Sequence, residues 1–184
     1  MNRWRSFAMA VLIAMVIFLP APGTWAQGRD PLEPVGDAGQ VVLPAAALIM
    51  TYAHGDDDGT AQFIKAFALA QFVTGALKLT IDSRRPNGGE FSFPSGHTAS
   101  AFAGAAFLHR RYGWRYGGPA YMLATVVGIS RITSNNHWPG DVLAGAAIGI
   151  GANWILTTGY QPHGASIAPA IIGESPGLAI ALAF

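Results

Sequence analysis

The sequence predicts an all-α protein: a bundle of five to six short helices, membrane-embedded, followed by a tail that alternates like a β-hairpin. Three observations predict it. Apolar residues make up 51% of the chain and charged ones only 11%, against about 25% charged in an ordinary soluble domain. Five apolar stretches of helical length lie between Val41 and Thr158. Turn-forming runs separate them: "HGDDDG", "RRPNGGEFSFPSG", "YGWRYGG" and "NNHWPG". The 184 residues suit a single domain.

Taken in order, the chain begins with Arg3 and Arg5 ahead of an apolar run from Phe7 to Leu19. That run is short for a span, which needs about 20 residues. Small residues near Ala26 complete the pattern of a secretory signal. Residues 1–26 are therefore a signal peptide or a retained first transmembrane helix. Residues 27–40 are rich in Pro, Gly and Asp and read as a linker. Residues 41–160 hold the bundle, with helices expected over Val41–His54, Ala61–Thr80, Thr98–Tyr112, Pro119–Ser134 and Pro139–Thr158. Pro139 suits a first helical turn, where its missing N–H would be unpaired anyway. Gly145 and Gly149 lie four apart, a spacing that allows close helix approach. In the tail, residues 161–184, "ASIAPAII" and "GLAIALAF" flank "GESP". A β-hairpin is one reading and a loosely packed apolar tail the other.

Charge excludes some functions and orients the chain. The net charge is +1, which gives no electrostatic case for nucleic acid. There is no cysteine, hence no disulfide framework and no thiolate nucleophile. The most basic short connection holds Arg110, Arg111 and Arg115. By the positive-inside rule it faces the cytoplasm, and the loops at the opposite helix ends face outward.

Those outward loops carry three polar clusters: Lys78, Arg85 and Pro86; Pro94 to His97; and Ser130, Arg131, His137 and Asp141. Antiparallel helices with short loops bring alternate loops to one side, so the clusters converge. Few carboxylates accompany these cations. Arginine forks match phosphate oxygens in bidentate fashion. Ser95-Gly96-His97 enters a helix N-terminus, where unpaired N–H groups and the dipole favour an anion. Gly96 permits close approach of the backbone. Asp141 can bond one nitrogen of His137 and leave the other as a nucleophile. His97 can protonate the leaving oxygen. This is a phosphohistidine route that requires no metal and no cofactor, and no carboxylate cluster exists to hold a metal.

Lys78, six residues, then Arg85-Pro86; Pro94-Ser95-Gly96-His97; Ser130-Arg131, five residues, His137, three residues, Asp141: this order resembles the three-part signature of the type 2 phosphatidic acid phosphatase family. That family also includes bacterial acid phosphatases and vanadium haloperoxidases. The likeness runs from Lys78 to Asp141, about a third of the chain, and fills every signature position. It implies Lys78, Arg85, Ser95, Gly96 and Arg131 as phosphate ligands, His137 as nucleophile, Asp141 as its orienter and His97 as acid. It also implies a six-helix membrane protein whose site faces outward, with the N-terminal run as the sixth helix.

Singly, each residue has a plain structural reading. Arg131 complements a helix dipole, Asp141 caps a helix, and Lys78 and Arg85 anchor at a membrane edge. His54, His109 and His163 lack such company and read as structural. Asp56–Asp58 read as a solvated turn. The expected activity is hydrolysis of a lipid phosphate or polyprenyl diphosphate in the bacterial envelope, with membrane lipids as partners and no nucleic acid. The competing readings are a periplasmic acid phosphatase for small esters, and a haloperoxidase holding vanadate.

Overall fold

The computed structural model describes residues 30–161, 164–172 and 175–183. The expected signal or first helix lies outside them. Five helices form the bundle: α1 Glu33–Ala53, α2 Asp57–Thr80, α3 Gly96–Tyr112, α4 Trp114–Thr133 and α5 Pro139–Leu156. Strands β1 Gly164–Ile172 and β2 Ser175–Ala183 follow. They pair antiparallel, with Gly164 opposite Ala183 and Ile172 opposite Ser175. The hairpin reading of the tail is the one that holds.

Helix α3 is the axis of the molecule and packs against all four other helices. Its composition explains why. Ala99, Ala101, Ala103, Ala105 and Ala106 are fully buried, and so is Phe107. Short side chains let neighbouring backbones close in. A Cβ at Gly149 would sit 2.5 Å from the Ala99 carbonyl, and one at Gly145 would sit 2.4 Å from that of Ser95. The glycine spacing of α5 therefore seats it directly on α3. Asn153 completes the contact by donating to the Ala103 carbonyl at 3.0 Å.

Helix starts differ from expectation by four residues or more in α1, α2 (Asp57 rather than Ala61) and α4. Residues 33–40, read as linker, are the first turns of α1. Pro34 falls in the first turn, where it breaks no intrahelical bond. Gly36 and Gly39 face α4 rather than a turn: a Cβ at Gly36 would lie 1.9 Å from Ser130 Oγ, and one at Gly39 2.4 Å from Val127 Cγ2. Helix α4 begins at Trp114, before Pro119, because Gly113 alone makes the reversal from α3. Its φ of 86° is left-handed, where glycine is at ease.

The basic end of the bundle is less basic than its sequence. Arg111 is buried and clamps Asp56 with two nitrogens, Nε at 2.7 Å from Oδ2. Tyr112 donates its hydroxyl to the same carboxylate at 2.8 Å, and the Gly59 N–H is capped by it at 2.9 Å. Asp56 is thus no solvated turn residue. A carboxylate at a helix N-cap became the counter-ion of the one arginine that α3 buries there. Arg110 packs over the Trp154 ring, and Arg115 is exposed.

Candidate active site

Two loops at the other end of the bundle are stitched into one surface. The Asn87 N–H donates to the Asn135 carbonyl at 3.1 Å, and Trp138 Nε1 donates to the Arg84 carbonyl at 2.9 Å. The Ser95 N–H donates to the Asp141 carbonyl at 2.9 Å. These bonds draw the segment 81–95 against the segment 134–141. All three polar clusters meet there, as the helix count predicts.

His137 is buried, 3% exposed. Its Nδ1 lies 3.5 Å from Asp141 Oδ2, an ion-pair distance outside good hydrogen-bond geometry. Burial pulls its pKa down to about 4, with the Arg85 and Lys78 charges acting in the same direction against Asp141 and the Ser92 backbone. The ring is therefore neutral at ordinary pH, the form in which a histidine is a nucleophile. With Nδ1 turned to Asp141, Nε2 is the nitrogen left for attack.

Asp141 caps a helix and also faces His137. Its Oδ2 accepts from the Trp138 N–H at 2.9 Å, closing the first turn of α5. The same oxygen accepts the hydroxyl of Ser92 in a short hydrogen bond. The capping reading and the catalytic reading of this residue describe one geometry.

The charges of Lys78 and Arg85 act on this pair. Lys78 donates from Nζ to the Phe91 carbonyl at 2.7 Å. Phe91 holds that carbonyl with a φ of 56°, a strained region for a bulky side chain. Arg85 donates from Nε to the Glu90 carbonyl at 3.1 Å. Among the described residues its two terminal nitrogens have no protein acceptor. Arg131 is buried at the end of α4. It donates from Nε to Ser130 Oγ at 3.1 Å, from NH1 to Asp37 at 2.8 Å and from NH2 to the Glu33 carbonyl at 2.6 Å. A guanidinium has five N–H donors, so two remain.

Ser95 sits differently from its expected ligand role. It is fully buried. Its Oγ accepts from the Thr98 N–H at 3.4 Å and from the Thr98 hydroxyl at 2.9 Å, the position of an N-cap. Its own N–H is held by Asp141. In the first turn of α3 the N–H groups of Gly96 and His97 then have no intrahelical acceptor. The Lys78 side chain reaches over this turn, its Cε 3.9 Å from where a Gly96 Cβ would stand. His97 is half-buried, with Nε2 3.1 Å from Asp37 Oδ1.

Residues 87–164 match the model of the PAP2 superfamily. The chain is similar to that superfamily over this stretch. Over 87 residues it is 47% identical to a protein named lipid A 1-phosphatase from Porphyromonas gingivalis, a stretch covering 45% of this chain and 20% of that protein. A protein named lipid A 4'-phosphatase from Helicobacter pylori is 27% identical over 163 residues, covering 82% of each chain. The crystal structure of Aquifex aeolicus LpxE superposes with a TM-score of 0.58 at 22% identity, over 80% of this chain and 92% of that one, and shows the same fold. The PAP2 match contains Ser95, Gly96, His97, Arg131, His137 and Asp141, and begins after Lys78 and Arg85.

Two residues of this candidate site escape a reading by motif. Ser92 stands two positions before the Pro-Ser-Gly-His run, and its bond to Asp141 depends on the fold. Asp37 stands in the stretch read as linker. Its one sequence signal was an isolated acid between two glycines, Gly36 and Gly39.

Proposed function

We propose that this PAP2 protein is a phosphatase for a phosphorylated membrane lipid, working through a phosphohistidine and without metal. His137 Nε2 attacks phosphorus and the P–O bond to the lipid breaks. His97 gives its proton to the leaving oxygen. Water, deprotonated by His97, then attacks the phosphohistidine, and phosphate departs. Lys78, Arg85 and the free donors of Arg131 hold the non-bridging oxygens, with the Gly96 and His97 N–H groups beside them. The observation that carries this reading is a neutral, buried His137 beside the charges of Arg85 and Lys78 and backed by Asp141.

A lipid substrate is supported by the outer surface of the bundle. Phe72, Leu79, Met122, Leu143 and Ile155 are each more than 70% exposed. They lie on α2, α4 and α5, a pattern for lipid contact rather than water. Helices α1 and α2 are long and apolar enough to cross a membrane. The relatives named for lipid A make a phosphorylated glycolipid the leading substrate class, with polyprenyl diphosphate next. The site then faces the outer side of the inner membrane.

The test is phosphate release by the detergent-solubilised protein in the presence of a chelator. The panel holds lipid A, phosphatidic acid, undecaprenyl diphosphate and a soluble aryl phosphate, with His137→Ala alongside. The expected result is faster turnover of a lipid than of the aryl ester, and none by the variant. Cleavage of the aryl ester alone would establish the soluble acid phosphatase reading. Full activity in His137→Ala would remove the phosphohistidine.

A further inference from the structure

Asp37 touches two groups of the proposed chemistry from an element that carries no signature motif. A single oxygen, Oδ1, stands 3.1 Å from His97 Nε2 and 2.8 Å from Arg131 NH1. Arg131 is itself fixed by the Glu33 carbonyl and Ser130 Oγ. Gly36, the preceding residue, brings α1 against Ser130 and Arg131 at a distance no side chain allows. The carboxylate is a quarter exposed, so its charge is felt at short range.

We propose that Asp37 is a positioning residue for the proton-transfer step, holding His97 by Nε2 so that Nδ1 faces the leaving oxygen. This rests on the phosphatase reading above. In the first step the proton on His97 Nδ1 moves to the oxygen that leaves phosphorus, while the Nε2 proton remains on the hydrogen bond to Asp37. The neutral ring then takes a proton from water in the second step. Arg131, from α4, shares the same Asp37 oxygen, and Asp37 is the acid in contact with the His97 ring.

Two substrates separate positioning from mere support. Phosphatidic acid has a poor leaving group that needs the proton. Dinitrophenyl phosphate has a good one that leaves without it. Asp37→Asn is expected to lower kcat on phosphatidic acid about tenfold or more and to change the dinitrophenyl ester about twofold or less. Asp37→Glu, which keeps the charge, is expected to recover part of the loss. Equal slowing of both esters by folded Asp37→Asn, or no recovery in Asp37→Glu, would overturn the proposal. If wild type cleaves neither ester, the phosphatase reading fails instead.

Discussion

His137 is the proposed nucleophile, and its state is set by what surrounds it. Its pKa is lower in the folded chain than the unfolded value of about 6.5. Between about 4 and about 6.5 the unfolded chain therefore binds the extra proton, so stability rises with pH across that window. Wild type is expected to lose thermal stability in detergent as the pH falls through it. His137→Ala should lose less, since it lacks the group. A variant that tracks wild type at every pH would show that His137 is not held neutral. Ser92 acts one bond further out. Ser92→Ala removes a buried donor from Asp141 and leaves only the Trp138 N–H on Oδ2. The expected loss is about tenfold in kcat with KM little changed, roughly the worth of one hydrogen bond to a charged group. An unaltered kcat would mean that the backbone cap alone orients Asp141.

Among the elements, α3 and α5 share a backbone contact that sets the site, because the Ser95 carbonyl stands where a side chain at Gly145 would go. Gly149 tests the contact away from the chemistry. Gly149→Ala places a methyl 2.5 Å from the Ala99 carbonyl and 2.7 Å from the Ala103 nitrogen, both backbone atoms that cannot swing aside. The expected cost is about 1–3 kcal/mol of stability. Gly151, on the same helix, has nothing within 4 Å. Gly151→Ala should be neutral or should stabilise by up to about 1 kcal/mol through helix propensity. Thermal denaturation of both variants in one detergent compares them, and similar midpoints would contradict the close packing.

The whole molecule has two ends of different character. One joins Lys78, Arg85, His97, Arg131 and His137. The other buries the Arg111–Asp56 pair and exposes Arg115. Since the chain contains no cysteine, single cysteines can report which end lies outside. Asn87→Cys is expected to react with an impermeant maleimide in intact spheroplasts. Arg115→Cys should react only after permeabilisation. The reverse pattern would turn the proposed orientation over.

Local chemistry was enough to identify the bundle, the three polar clusters and their common side. Helix-length apolar runs, turn residues and motif spacing are properties of neighbours in the chain. So was the meeting of Lys78, Arg85, His97, Arg131, His137 and Asp141, since alternate loops of antiparallel helices must share an end. The start of α1 was not legible. Pro, Gly and Asp in residues 33–40 have the composition of a linker, and only the groove of α4 shows that two of the glycines are packing residues. Asp37, Ser92 and Asp56 lay beyond the sequence for the same reason. Each is one of several polar residues of its kind, and each is singled out by a partner between 49 and 94 positions away. Ser95 was named for the anion, yet tertiary contacts assign its hydroxyl and N–H to the protein itself. Sequence fixes which groups are present near a helix end. Which of them are free to meet a substrate depends on hydrogen bonds that only the folded chain can make.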